Sequence, residues 1–178
     1  MEAIHIEACL DSMSILIDTR EQPTERALKR YQSFGVPYRR QKLDYGDYTY
    51  NFILPTGKEL YKVDIPVKGS VMIERKMNLE ELSSCFTHDR QRFEAEFERA
   101  KKEGCSVWLL VENANWENLL NGKYKTKFNS NAFTASLLSW SIKYDIKIVF
   151  CKSETTGKLI KQILYRELKN RLEGGFYG

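Results

Sequence analysis

The sequence predicts an α/β fold, with a mixed central sheet flanked by helices. Short apolar runs rich in β-branched residues, at 15–17, 71–73 and 107–111, have the length of buried strands. Elsewhere apolar residues recur at helical spacing, as in Phe93, Phe97 and Ala100. The order matters too: strands first follow one another as a meander, then alternate with helices, as in a sheet with both pairing directions. The 178 residues suit one domain of ordinary size. With 42% hydrophobic and 29% charged residues, the chain can build a core.

Residues 1–12 show no clear period and read as a loosely ordered N-terminal segment ahead of a single domain at 13–178. Residues 13–18 read as a buried strand ending on Asp18. A loop follows to Pro23, a residue favoured at helix starts. Ala27, Leu28, Tyr31 and Phe34 give the next helix its apolar face, and Gly35 stops it. Residues 38–43 read as extended, and Tyr45-Gly46-Asp47-Tyr48 as a tight turn into the next strand. An extended β-hairpin is expected at about 48–73: residues 48–54 lead out, Pro55-Thr56-Gly57-Lys58 turns the tip, and 59–67 return. Residues 71–76 form a strand that begins apolar and ends charged. Two helices follow, marked by Leu79, Leu82 and Phe86 and by Phe93, Phe97 and Ala100, the second ending at Gly104.

The clearest buried strand spans 107–112. A small helix around Trp116, Leu119 and Leu120 stops at Gly122. Residues 132–144 make an apolar helix with Phe133, Leu137 and Trp140 on one stripe, and 146–150 a strand. A last amphipathic helix carries Leu159, Ile160, Ile163, Leu164 and Leu168. Its stripe reads as core; any exposed part of it would be a dimer contact.

Composition excludes several function classes. No apolar run approaches the roughly 18 residues of a membrane span, and the start lacks the basic and apolar regions of a signal peptide. Cys9, Cys85, Cys105 and Cys151 lie far apart with no CxxC pair, so free thiols in a reducing compartment are expected rather than zinc or disulfides. Two histidines, His5 and His88, supply little for histidine chemistry. The net charge of +4 is mild, compatible with nucleic acid without demanding it. Chemistry therefore falls to carboxylates and lysines.

The informative region runs from Gly46 to Lys76. Glu74 and Lys76 sit two apart on a predicted strand, so both point to one face and Arg75 to the other. Burying such charges is costly without a purpose. A divalent cation is one: Asp47, in a turn at a strand boundary, and Glu74 could hold a hard ion such as Mg²⁺. Lys76 would then stand beside the water attacking a phosphodiester. A Glu-x-Lys pair alone is far more often a surface ion pair, and Asp after Gly is common in turns.

The ordered set Asp18-Thr19-Arg20-Glu21, Gly46-Asp47-Tyr48 and Glu74-Arg75-Lys76 resembles the nuclease domain of the XPF family of structure-specific endonucleases. Glu80 stands where that family usually has Asp, and Arg90, Arg92 and Phe93 look like its next basic-aromatic segment. The resemblance covers about residues 13–150. It implies a restriction-endonuclease-like fold of the PD-(D/E)xK type. It also implies Asp47 and Glu74 as central ligands of Mg²⁺ or Mn²⁺, Lys76 as catalytic lysine, and Asp18 at the rim of the same site as a further acid aiding metal or water placement. Arg20, Glu21, Arg75 and Glu80 would support them. The implied substrate is branched DNA in repair or recombination, cut at flaps, forks or junctions to leave a 3′-hydroxyl and a 5′-phosphate. Two features depart from the pattern: the stretch 48–73 is long, and after Phe150 there is room for one helix rather than helix-hairpin-helix modules. Branch choice and pairing as a homodimer or with a partner subunit therefore stay open. A compact domain of this kind suits a cytoplasmic bacterial or phage protein, or a nuclear one in a eukaryote.

Lys123, Lys125 and Lys127 alternate with Tyr124 and Phe128. Such a segment can grip phosphates and stack on bases, or it can be a solvated loop anchored by its rings. Residues 89–103 balance five basic against five acidic residues and read as a solvated helix, except that Arg90 and Arg92 fall near the expected site. The alternatives are a catalytically silent relative that binds DNA or a partner nuclease, a resolvase, general or RNA-directed nuclease on the same fold, or an α/β protein without a nucleic-acid role.

Overall fold

The computed structural model describes residues 2–62 and 71–177. Its strands are β1 (Ser14–Ile17), β2 (Tyr38–Arg40), β3 (Tyr48–Asn51), β4 (Val71–Lys76), β5 (Ser106–Glu112) and β6 (Ile146–Cys151). They are ordered β2-β1-β3-β4-β5-β6. β1 runs parallel to β2 and antiparallel to β3, and β5 runs parallel to β6, so the sheet is mixed as expected. The chain divides into two compact units, Met1–Val71 with Gly157–Gly178, and Met72–Thr156.

In the first unit, Ile15, Leu16 and Ile17 of β1 are fully buried. Before them lies helix α1 (Ala3–Asp11), where the sequence shows no period. Cys9 is its one buried residue, so no apolar stripe announces it. Helix α2 (Glu25–Gln32) starts at Thr24, whose Oγ1 accepts the Ala27 N–H at 3.2 Å. Its inward face carries Ala27, Arg30 and Tyr31, while Leu28, expected inside, is exposed. Arg30 is buried with its Nη1 donating to Glu21 and to the Tyr48 hydroxyl. Tyr31, Phe34, Tyr38 and Tyr48 form a ring cluster with centroids 5.5–6.1 Å apart.

Of the hairpin expected at 48–73, the described residues show the leading strand, the tip and the start of the return. β3 ends at Asn51, a single bridge joins Ile53 to Glu59, and the return leg becomes a 3-10 turn at Leu60–Lys62. Asn51 explains the change: its Oδ1 accepts the Tyr61 N–H and its Nδ2 donates to Glu59. Glu59 also pairs with Arg39 and Lys62. Hydrogen bonds from Lys62 and Arg39 bring its carboxyl pKa down to about 2. The rest of the expected return leg lies outside the described residues.

Helix α7 (Thr156–Glu173) buries Ile160, Ile163, Leu164, Leu168 and Leu172, so most of the apolar stripe is core, and Leu159 is half-buried. Gly157, in its first turn, lies against α2.

The second unit packs helices on β5 and β6: α4 (Arg90–Lys102) on β5 and α6 (Ser130–Tyr144) on β6, with α3 (Leu79–Thr87) against both helices. α5 (Trp116–Leu120) also packs on α6. Asn78 caps α3 by accepting the Glu81 N–H at 2.8 Å, and Glu81 accepts the Met77 N–H in return. Phe86, Phe93, Phe97 and Phe133 pack around Trp140, which is buried and so is core. Among the described residues no helix is long and apolar enough to cross a membrane, and the four cysteines are free.

A Cβ at Gly157 would collide with Ser33 Oγ and with the Arg30 carbonyl oxygen. Gly157→Ala should therefore destabilise the protein by about 1–3 kcal/mol in urea denaturation. Adding Ser33→Ala should recover only part of that, because the backbone carbonyl remains.

Candidate active site

In the first unit the site residues gather around Asp18, which closes β1 and is 0% exposed. Its Oδ1 accepts the Arg20 N–H and Nε–H, both at 2.7 Å, and its Oδ2 accepts the Leu43 N–H at 2.7 Å. Its own N–H donates to the Asp47 carbonyl at 2.8 Å. One carboxylate thus ties together the loop after β1, the stretch after β2 and the turn before β3. Burial pushes the Asp18 carboxyl up, but the Arg20 and Leu43 hydrogen bonds and the guanidinium charge outweigh it. The pKa lies below the usual carboxylate range.

Asp47 follows Gly46, whose φ of 70° lies in the left-handed region that glycine tolerates. The Asp47 side chain is half-buried. Glu21 turns elsewhere: its Oε1 accepts from Arg30 Nη1 at 2.9 Å and from the Tyr48 hydroxyl at 2.7 Å. Arg30 Nη1 also donates to that hydroxyl at 2.8 Å, closing a buried triangle. The Asp-x-Arg-Glu and Gly-Asp-Tyr segments are therefore bonded to each other twice: Asp18 to Asp47 through the backbone, Glu21 to Tyr48 through side chains.

In the second unit the centre is β4. Glu74 is 6% and Lys76 7% exposed, and Lys76 Nζ donates to Glu74 Oε1 at 2.6 Å. The ammonium also lies 4.5 Å from the centre of the Phe93 ring. Arg75, on the opposite face, pairs with buried Glu112 at 3.4 Å. Burial raises the Glu74 pKa against the pull of Lys76. A carboxylate on α4, Glu96, raises it further, and Arg92 opposes.

Sequence reasoning missed Glu96. It is 7% exposed and sits within the stripe Phe93, Phe97, Ala100. Counting charges over 89–103 hid it; asking which charge fell on the apolar face would have found it.

Arg90 and Arg92 are exposed at the start of α4, where Arg90 pairs with Glu94 at 3.0 Å and Arg92 approaches Asp89 at 3.8 Å. Glu80 holds the basic loop: its Oε1 accepts the Lys125 N–H at 2.8 Å. In that loop Lys123, Lys125 and Lys127 are exposed, whereas Tyr124 and Phe128 are half-buried against Phe133, at centroid distances of 5.5 and 5.0 Å. The rings anchor the loop and the lysines face outward.

Comparison with known families settles the lineage. The sequence pattern of the ERCC4 domain matches residues 17–163. The chain belongs to the ERCC4 domain family, that of the XPF nucleases. Two solved structures from Aeropyrum pernix share the fold. XPF aligns with a TM-score of 0.59 at 19% identity, over 86% of this chain and 61% of that one. XPF in complex with DNA aligns with a TM-score of 0.58 at 20% identity, over 88% and 65%. The chain thus spans less than two thirds of either relative. Among curated proteins none matches it.

ERCC4 nucleases typically use a divalent metal. The chemistry of β4 fits one: the buried, hard-oxygen carboxylate of Glu74 has its charge opposed by burial and by Glu96, and a cation would relieve both. Among the described residues no three His, Cys, Asp or Glu side chains gather closely enough to form a complete cage. An ion there would draw part of its shell from water and phosphate, as Mg²⁺ commonly does.

Lys76→Met leaves the Glu74 carboxylate buried without its ammonium. It should cost about 3–5 kcal/mol in urea denaturation. Combining it with Glu74→Gln should recover most of that loss, because the Glu74 charge is then no longer left inside without its ammonium.

Proposed function

We propose that this chain is a metal-dependent endonuclease that hydrolyses phosphodiester bonds in branched DNA, at flaps, forks or junctions. The observation that carries the reading is the buried Glu74–Lys76 pair on β4 in a chain of the ERCC4 domain family. Asp47 and Glu74 would hold Mg²⁺ or Mn²⁺, and the ion would supply Lewis-acid polarisation of the phosphate and activation of the attacking water.

The chain's own residues do the rest. Lys76, fixed by Glu74 and the Phe93 ring, sets a positive charge where it can orient the water and stabilise phosphate charge without reorganising. Asp18 acts as the third acid by holding Arg20 and the stretch leading to Asp47. Glu21 supports the same region through Arg30 and Tyr48, Arg75 braces β4 through Glu112, and Glu80 fixes the lysine loop. Arg90, Arg92, Lys123, Lys125 and Lys127 contact DNA phosphates. The DNA substrate class is supported by the family and by the Aeropyrum pernix XPF structure in complex with DNA. Association with a second copy or a partner subunit, as a means of choosing the branch, is part of the same proposal.

With a labelled flap or fork and Mg²⁺, wild type should cut, and chelation should stop it. Asp47→Asn and Lys76→Ala should each slow single-turnover cleavage by about 10²–10³-fold. Cleavage by both variants at the wild-type rate would end the reading.

Changing Lys123, Lys125 and Lys127 together to Ala should weaken binding to DNA. The slope of log affinity against log salt should become shallower by about two to three, near one per lost phosphate contact. A slope that does not move removes the loop from the footprint.

A further inference from the structure

Beside the outward-facing lysines lies a groove of about 510 Å³, between α3 and the loop before α6 and wholly within the second unit. Ser84, Thr87 and His88 line one side; Thr126, Lys127 and Phe128 line the other. Its size falls in the range of about 300–1,000 Å³ typical of small-ligand sites. Of its lining residues, Glu80 and Lys127 have roles above, in fixing the lysine loop and contacting phosphate, and the others have none in cleavage.

Its chemistry is specific. Ser84 and Thr87 donate their hydroxyl protons back into α3, to the carbonyls of Glu81 at 2.7 Å and Ser83 at 3.2 Å. The Ser84 oxygen is left as an acceptor, the complement of an N–H on an unpaired base edge, while the Thr87 oxygen also lies 2.9 Å from His88 Nδ1. Thr126 Oγ1 is buried and has no hydrogen-bond partner among the described residues, so it has capacity for a ligand's donor or acceptor. Phe128 is held rigid by stacking on Phe133, which suits it to bear a base. Lys127 is exposed with no ion pair among the described residues, at hand for a phosphate. Glu80, the one acid of the groove, accepts the Lys125 N–H and so holds the loop in position.

Hydroxyls, a fixed aromatic ring and a lysine on one groove match the edge and face of a base and a phosphate. A base pair within a duplex keeps its rings stacked and cannot enter, whereas an unpaired nucleotide can. We propose that this groove captures one unpaired nucleotide of single-stranded DNA, giving the enzyme a grip on the single-stranded arm beside a branch. The proposal rests on the reading of the chain as a nuclease of branched DNA and adds a strand-selecting subsite to it.

Thr87→Trp fills the groove from an exposed position at the end of α3 and leaves the residues assigned to cleavage untouched. Anisotropy with labelled single-stranded oligothymidine and with a duplex, both in chelator, reads the effect. Single-strand affinity should fall about tenfold while duplex affinity stays within twofold. Unchanged single-strand affinity, or equal losses on both ligands, overturns the groove. A second measurement needs no variant: photo-crosslinking wild type to an oligonucleotide carrying 5-iododeoxyuridine should attach it within residues 83–88 or 122–128. Attachment only elsewhere also overturns the proposal. Wild type that cuts flaps but fails these tests loses the groove alone; wild type that neither binds nor cuts DNA loses the nuclease reading itself.

Discussion

A carboxylate and an ammonium buried together at 2.6 Å, on the last turn of an apolar strand, set the terms for the second unit. Desolvating either ion alone costs several kcal/mol, and their attraction offsets this only when geometry is good and the remaining polar atoms are satisfied. Hydrophobic side chains of the same volume could fill that space at no such cost. A fold that keeps the pair is therefore arranged around something other than stability. The Phe93 ring beside Lys76 and the burial of Glu96 beside Glu74 follow from the same arrangement. One supports the ammonium, and the other makes the carboxylate site more hungry for a cation. Membership of the ERCC4 family gives that hunger a chemical meaning.

Much of this was legible because strands have a period of two. Glu74, Arg75 and Lys76 alternate, and the structure buries the outer two while turning Arg75 to Glu112. The same logic holds in the lysine loop, where Lys123, Lys125 and Lys127 face out and the residues between them face in. The apolar runs of β1, β4, β5 and β6 and the stripes of α3, α4, α6 and α7 were also readable, since burial there is continuous along one face.

What escaped were elements whose reason lies elsewhere in the chain. α1 carries almost no buried residues, so its sequence has no stripe to read. α2 turns Arg30 inward and Leu28 outward because Glu21 and Tyr48, 9 and 18 residues away, complete a hydrogen-bonded triangle. The return leg of the hairpin folds into a 3-10 turn because Asn51 captures the Tyr61 N–H and Arg39 draws Glu59. Glu96 escaped for a different reason: it looks like one acid among five on a charge-balanced helix, and only its phase against Phe93 and Phe97 marks it as buried.

Asp18 and Glu74 show how one residue type is given two jobs. Asp18 is buried, yet three donors and a guanidinium hold it ionised, and its pKa falls. Its charge is spent on architecture, fixing three segments of backbone. Glu74 is also buried, and desolvation, with a second carboxylate beside it, raises its pKa against the pull of one close ammonium. The opposite shifts set the two acids apart: one is satisfied by the backbone and guanidinium around it, the other is not. An acid already satisfied has little to gain from an incoming ion, whereas one held short of counter-charge has much. In the proposed nuclease the chemistry would centre on Glu74 and Lys76, with Asp18 contributing through the backbone it holds.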